Sequence, residues 1–221
     1  MPTPKERLSH LLELAAQGPE QRAALAGEVA DLLLDWPVQY PAAMRATFEA
    51  LLERIAREME FTARGQLAAR FAGRSDAPLS LLNEFFLAAP AEMKDAILMR
   101  NEAADEVTFA TINADALLAA ARTRENFSAA LANAAGVPES TAAEIAADTS
   151  GRALATLCKG ANINRATFSA LMVLAGPVRK VHDNFTLLSV YDRVPAKGAA
   201  RLLAVWRGKQ DNAVDVREAA A

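Results

Sequence analysis

Aliphatic side chains return every three to four residues along almost the whole chain, and nowhere do they alternate with polar ones over a strand's length. That single periodicity restricts the fold to packed helices, because a period of 3.6 puts the apolar residues on one face of a helix and would scatter them over both faces of a strand. Composition points the same way. Alanine supplies 51 of the 221 residues, and it is the best helix former, with a side chain small enough to let helices approach closely. Runs of Val, Ile, Thr or Tyr that would favour strands are missing.

The pattern divides into short segments with recognisable stops. Leu8, Leu11, Leu12 and Ala15 share a face that ends at Gly18-Pro19, and Leu25, Val29, Leu32, Leu33 and Trp36 form a second stripe closed by Pro37. Pro41 suits the first turn of a third helix, whose stripe runs Met44, Phe48, Leu51, Leu52, Ile55 and Met59. Shorter helices are predicted over 63–72, 79–87, 91–99 and 114–121, and an irregular stretch over 101–113 reads as a linker or hinge. Further helices are predicted over 126–135, 138–147, 150–159, 165–175, 177–190 and 196–207, with Gly136, Gly151, Gly160 and Gly176 between them as helix punctuation requires. The expectation is an all-α helical bundle or hairpin array, HEAT-like or repeat-like, of about a dozen short to medium helices. Its parts would be a hairpin array over 1–60, short repeat-like helices over 61–113, a bundle over 114–207 and a flexible tail over 208–221. A loose period of 30 residues pairs Arg64 with Lys94, Leu67 with Ile97, Ala68 with Leu98 and Arg70 with Arg100, the spacing stacked helical repeats use. The helix over 165–175 carries Phe168, Ala170, Leu171, Met172, Val173 and Leu174 and is apolar nearly all round, which predicts a place in the middle of its bundle.

Two stretches carry a resemblance. Asp148-Thr149-Ser150-Gly151-Arg152-Ala153-Leu154-Ala155-Thr156-Leu157-Cys158-Lys159, followed by Arg165-Ala166-Thr167-Phe168-Ser169-Ala170-Leu171, resembles the bacterial family catalogued as domain of unknown function 2336. Tyr191-Asp192-Arg193 ahead of Leu202, Leu203, Trp206 and Arg207 is similar to the same family's C-terminal signature, and 62–101, with Arg64, Leu67, Ala68, Phe71, Pro78 and Leu82, to its repeat-like part. The resemblance spans roughly 60–207. It implies a helical, repeat-like cytoplasmic protein and supplies no catalytic residue.

Chemistry-bearing residues are few. The two histidines have no metal-ligand spacing: His10 sits beside Leu11 and Leu12 with no His or Cys three or four positions away, and one cysteine with two histidines is a poor ligand supply. No metal and no cofactor is expected. His182, in His182-Asp183-Asn184-Phe185-Thr186, is similar to the phospho-accepting box of sensor kinases, which makes it the one candidate phospho-acceptor; the alternative is a surface histidine with Val181, Phe185 and Leu188 buried. Cys158 follows Leu154 and Leu157 on one face and reads as a small buried hydrophobe rather than a reactive thiol. Neither glycine-rich phosphate motif occurs.

Charge is uneven. Residues 1–150 hold 13 Lys and Arg against 22 acids, whereas 151–221 hold 11 against 5. Such asymmetry marks either a binding face or complementarity between the two parts of the chain. Arg152, Lys159, Arg165, Arg179, Lys180 and Arg201 are the candidate partner- or anion-binding residues, alongside Arg193 and Lys197. The stretch Leu157–Ser169 has the cadence of a helix-turn-helix, but its second helix offers only Arg165, Thr167 and Ser169 before turning apolar, a poor set for reading base edges. The single cysteine, the lack of a signal-peptide profile at the N-terminus and the absence of any apolar run near the ~20 residues of a membrane span lead to the expectation of a cytoplasmic protein without a membrane span. The function expected is a non-catalytic scaffold or adaptor that binds another protein, or a second copy of itself. The alternatives are a regulator binding nucleic acid or a nucleotide through the basic third, and phosphotransfer through His182.

Overall fold

The computed structural model describes residues 21–36, 41–103, 108–123, 126–175 and 188–218. Every regular element among them is a helix, so the fold is all-α as the periodicity requires. The segments 8–15 and 177–187 lie outside the described residues.

The chain packs as two units, Met1–Met93 and Lys94–Ala221. The first contains α1 (Arg22–Leu34), α2 (Ala42–Glu58), α3 (Phe61–Arg70) and α4 (Leu79–Phe85). α1 buries Leu25, Ala26, Val29, Ala30, Leu32 and Leu33 against α2 and α3, and α2 also covers α4. The predicted α2 stripe is the packed one: Phe48, Leu52 and Ile55 are buried, and Met44, Leu51 and Met59 border them. Trp36 falls two residues beyond α1 rather than on it, and meets Phe48 edge-on with ring centroids 6.0 Å apart. Pro41 is the cap residue ahead of α2, with φ −61° and ψ 144°. α3 ends at Arg70 with Phe71 as its cap, and the turn that follows passes through Gly73, whose φ of +77° is cheap for glycine.

The second unit holds α5 (Ala91–Glu102), whose first turn straddles the boundary, then α6 (Ala114–Thr123), α7 (Phe127–Ala135), α8 (Glu139–Ala147), α9 (Arg152–Gly160), α10 (Arg165–Leu174) and α11 (Ala196–Glu218). Residues 188–193 are also helical. α7 packs on α6 and α8, and α10 on α6. The helix at the centre is α9, which buries Ala153, Leu154, Ala155, Thr156, Leu157, Cys158 and Gly160.

This corrects the expectation for α10. Val173 on that helix is 59% exposed, and only Phe168, Leu171 and Met172 are buried. Centrality here follows smallness rather than bulk, since a helix enclosed on every side must let its neighbours come close. A Cβ on Gly160 would lie 2.7 Å from the carbonyl oxygen of Ala199 on α11, and one on Gly198 would run into the Leu98 carbonyl of α5. The close approach seats Trp206, Leu202 and Leu203 at 0% exposure. Burying such side chains fully contributes roughly 1.5–3 kcal/mol each. The backbone of α11 also runs on as helix to Glu218, past Arg207 where the apolar stripe stops.

Two hairpins of the second unit share one design. α7 ends on Gly136 (φ 65°) and α9 on a turn through Asn162 (φ 55°). In each, the next residue donates its N–H back five positions, Val137 to the Ala132 carbonyl (3.1 Å) and Ile163 to the Cys158 carbonyl (2.8 Å). This is the six-to-one bond of a Schellman turn. Val137 and Ile163 are buried, as are Ala142 and Phe168, then Ile145 and Leu171. Each counterpart lies 26 positions on. The cadence at Leu157–Ser169 is therefore one instance of a packing turn that also closes α7.

Candidate functional site

The polar groups of the second unit gather at the two ends of α9. At its N-terminus the chain turns through Asp148, Thr149, Ser150 and Gly151, the last with φ +70°. Asp148 faces the exposed amides of the first turn and accepts from the N–H of Ala153 (2.7 Å), the N–H of Ser150 (3.1 Å) and the Ser150 hydroxyl (2.8 Å). The Ser150 hydroxyl in turn accepts from the N–H of Arg152. Donors that a helix N-terminus leaves open are thereby satisfied.

The same loop is bound to α5 twice. Lys94 Nζ lies 3.1 Å from the Asp148 carboxylate, with both side chains buried, and Arg152 grips Asp95 through two bonds of 2.8 and 2.9 Å. Neighbours on α5, one basic and one acidic, thus meet an acid and a base of the α9 loop. Burial pushes the Asp148 carboxyl upward, but the Lys94 ammonium, the Ala153 amide and the Ser150 hydroxyl outweigh it and hold the group below the ordinary carboxylate range. The arrangement fixes a helix start; it leaves no open face on Asp148 for a substrate.

At the other end of α9, residues 191–197 lie against the turn into α10. The Tyr191 hydroxyl donates to the Ile163 carbonyl at 2.6 Å, and its ring stacks on Phe168 at 5.2 Å. Lys159 Nζ sits 4.5 Å from the Tyr191 ring centroid, a cation–π distance. Arg165 reaches Asp192 at 3.1 Å, both about half exposed. Asn164 caps α10 by accepting from the N–H of Thr167 at 2.9 Å. Burial pushes the Tyr191 phenol upward, with Cys158 and Asp192 adding to the shift.

The family described as "Uncharacterised protein conserved in bacteria (DUF2336)" matches residues 42–204. The chain belongs to this family. The match includes both ends of α9 and reaches back to α2, further toward the N-terminus than the resemblance at 60–207 extends. No curated protein and no solved structure matches the chain. The family's description assigns no activity, so function rests on the residues themselves.

Of the sequence-predicted residues, Lys159 lies at the end of α9 over the Tyr191 ring, Arg165 opens α10 beside Asp192, and Arg152 stands at the opposite end of α9. Arg201 is half-buried on α11. Arg179, Lys180 and His182 lie outside the described residues, as does His10. Cys158 is fully buried, and burial pushes its thiol far above the ordinary range, as the reading of a small core residue implies. Among the described residues no group of three or more His, Cys, Asp and Glu is placed to hold a metal ion, and no helix is long and apolar enough to cross a membrane. Sequence reasoning missed Lys94 and Asp95 as partners of the Asp148 loop. The signal was in the sequence as two adjacent opposite charges on a helix, but their partners are more than fifty positions away.

The first unit has its own charged cleft, a shallow space lined by Leu33, Arg45, Glu49, Phe71, Arg74 and Asp76 among others. Arg74 donates to both Asp76 oxygens, at 2.9 and 3.1 Å, and to the Leu34 carbonyl. Arg45 spans Glu49 and Asp76. The Arg74 and Arg45 guanidiniums lower the Asp76 carboxyl to about 2. The two cations and two carboxylates neutralise one another, which leaves no net charge to draw an ion in.

Proposed function

We propose that this chain is a non-catalytic helical scaffold that binds another protein. The observation that carries the reading is apolar surface on helices whose other faces are packed. Met99 on α5 is 60% exposed and Val173 on α10 is 59% exposed, with Phe109 at 43% between the two helices in sequence. Monomeric surfaces carry single exposed apolar residues as a matter of course, and the reading takes its weight from finding them on short stacked helices, an architecture that offers extended surfaces to partners. The charged side chains at the N-terminal end of α9 support the same reading from the other side, because Lys94, Asp95, Asp148 and Arg152 are spent on joining helices.

Binding of nucleic acid through the basic third is less well supported. Taken over residues 94–221, Lys and Arg number 15 against 14 acids, and Arg152 and Arg165 are each paired with a carboxylate. Phosphotransfer through His182 has no described geometry to support it. A cytoplasmic location fits a chain with one buried cysteine and no disulfide.

The test uses the full chain as bait. A complex of fixed stoichiometry, rebuilt from two purified components and lost in Met99→Glu/Val173→Asp with helicity unchanged, supports the reading; a second copy of the chain counts as a partner. A chain that stays monomeric and alone, or a complex that rebuilds equally well with the double variant, refutes it.

A further inference from the structure

We infer that residues 94–102 of α5 form a strap that acid releases from the second unit ahead of its other helices. Three of the contacts that hold this stretch down run through carboxylates. Lys94 meets Asp148, ahead of α9, at 3.1 Å with both side chains buried. Asp95 accepts two bonds from Arg152, at 2.8 and 2.9 Å. At the other end of the stretch Glu102 accepts from the Gly198 N–H, in the first turn of α11, at 2.7 Å. The packing between these ties is partly polar. α5 buries Lys94 and Asn101 along with Ile97 and Leu98, whereas the polar residues buried on α8 and α9 are the threonines Thr141 and Thr156. The Asn101 amide donates to the Ile97 carbonyl of its own helix at 2.9 Å, a bond that α5 keeps when it leaves. Where α5 meets the start of α11 the approach is backbone to backbone, since Gly198 brings no side chain to the Leu98 carbonyl and the Glu102 amide. By comparison, α7 buries Phe127 and Leu131, and α10 buries Phe168, Leu171 and Met172.

Acid acts on one partner of each contact. Protonation discharges Asp95, Glu102 and Asp148, while the bases of the same segments, Lys94 and Arg100 on α5, Arg152 on α9 and Lys197 and Arg201 on α11, keep their charge. A neutral Asp148 no longer answers the charge on the buried Lys94 ammonium, and breaking a buried pair from one side costs more than the intact pair contributes. Water reaches that ammonium once α5 lifts away. The Asp148 carboxyl lies below its ordinary range in the folded unit, so protons bind the released form more tightly and favour it as pH falls. Helices open separately from their unit where few apolar contacts hold them, and α5 loses three ties in the same pH range. Release exposes Ile97 and Leu98, each 1% exposed when α5 is docked.

The test is amide hydrogen exchange of the full chain, read by mass spectrometry from about pH 7 down to about pH 3.5, a series that crosses the ordinary carboxylate range. Rates are corrected for the intrinsic pH dependence of exchange. Amides of 97–102 should lose protection about tenfold more than those of 130–135 on α7 and 168–174 on α10. Asp95→Asn/Glu102→Gln should speed exchange of 97–102 about tenfold at neutral pH, because two of the three ties then lack their charge, and should leave α7 and α10 as in the parent. The inference is overturned if the α5 amides lose no more protection than those of α7 and α10 across the series, or if the double variant exchanges as the parent does at neutral pH. The parent series decides the matter by itself where the variant does not fold.

Discussion

Removing the Asp148 carboxylate should be the most damaging single change at the α9 start, and the reason can be worked from its surroundings. Its side chain and that of Lys94 are 7% and 5% exposed. Asp148→Ala leaves a buried ammonium facing the place of its lost carboxylate, and breaking a buried pair from one side costs about 3–5 kcal/mol. The cap on Ala153 N–H is lost in the same step. Lys94→Met removes the other partner but leaves Asp148 with the Ala153 and Ser150 donors, so it should cost less. Arg152→Met breaks a pair whose Asp95 end is 49% exposed, a loss of about 1 kcal/mol or under. The assay is urea unfolding followed by tryptophan fluorescence. The chain's two tryptophans fall one in each unit, so a Trp36→Phe background makes the buried Trp206 report on the second unit alone. For a chain of this size the Asp148→Ala loss corresponds to a melting temperature lower by on the order of 10 °C. Because the folded carboxyl is held below its ordinary range, its contribution is complete above the unfolded aspartate value, about 3.9. That contribution drains away as pH falls through the lower folded value. Asp148→Asn should therefore flatten the acid limb of the stability profile. An Asp148→Ala midpoint indistinguishable from the parent, or a Lys94→Met cost equal to it, would refute this account.

Two further outcomes test the packing. Gly160→Ala should destabilise the second unit by about 1–3 kcal/mol or more, because the new Cβ meets the Ala199 and Ala200 backbone at 2.7–3.1 Å; Gly27→Ala, which meets only the Arg70 side chain at 3.4 Å, should be neutral or gain up to about 1 kcal/mol of helix propensity, both read from urea midpoints. Cys158, fully buried with its thiol raised by that burial, should resist a water-soluble disulfide reagent in the native protein and react fully in denaturant; fast native labelling would contradict its placement in the core.

The helices were legible because their signal is local. The stripe Met44–Phe48–Leu52–Ile55 announces α2 within one window, and Gly136 or Asn164 marks a helix end by its own backbone or side-chain preference. Which helix lies at the centre was not legible in the same way. A hydrophobic count favours α10, with its Leu, Met and Val, over α9, with its Ala, Thr, Cys and Gly. The count fails because enclosure depends on how closely the neighbours approach, and that is set by the absence of side chain at Gly160 and Gly198, seen only when Ala199 and Leu98 are in place.

The C-terminal end of α9 was half legible for the same reason. Lys159 and Arg165 stand six positions apart on either side of the turn from α9 to α10, and that turn is marked in the sequence by Gly160 and Asn164. What one window could not show is that the Tyr191 phenol reaches a carbonyl 28 positions earlier and that Asp192 lies beside Arg165. The charge asymmetry along the chain, 11 bases against 5 acids after residue 150, therefore resolves into two different uses. Arg152 is answered by an acid of the earlier segment, Asp95, and serves the fold. At the far end of the same helix Lys159 lies over the Tyr191 ring and Arg165 pairs with Asp192 at the surface. The two ends of one central helix thus put the same composition to different uses, a buried Lys94–Asp148 pair that fixes the helix start at one and a solvent-exposed Arg165–Asp192 pair at the other.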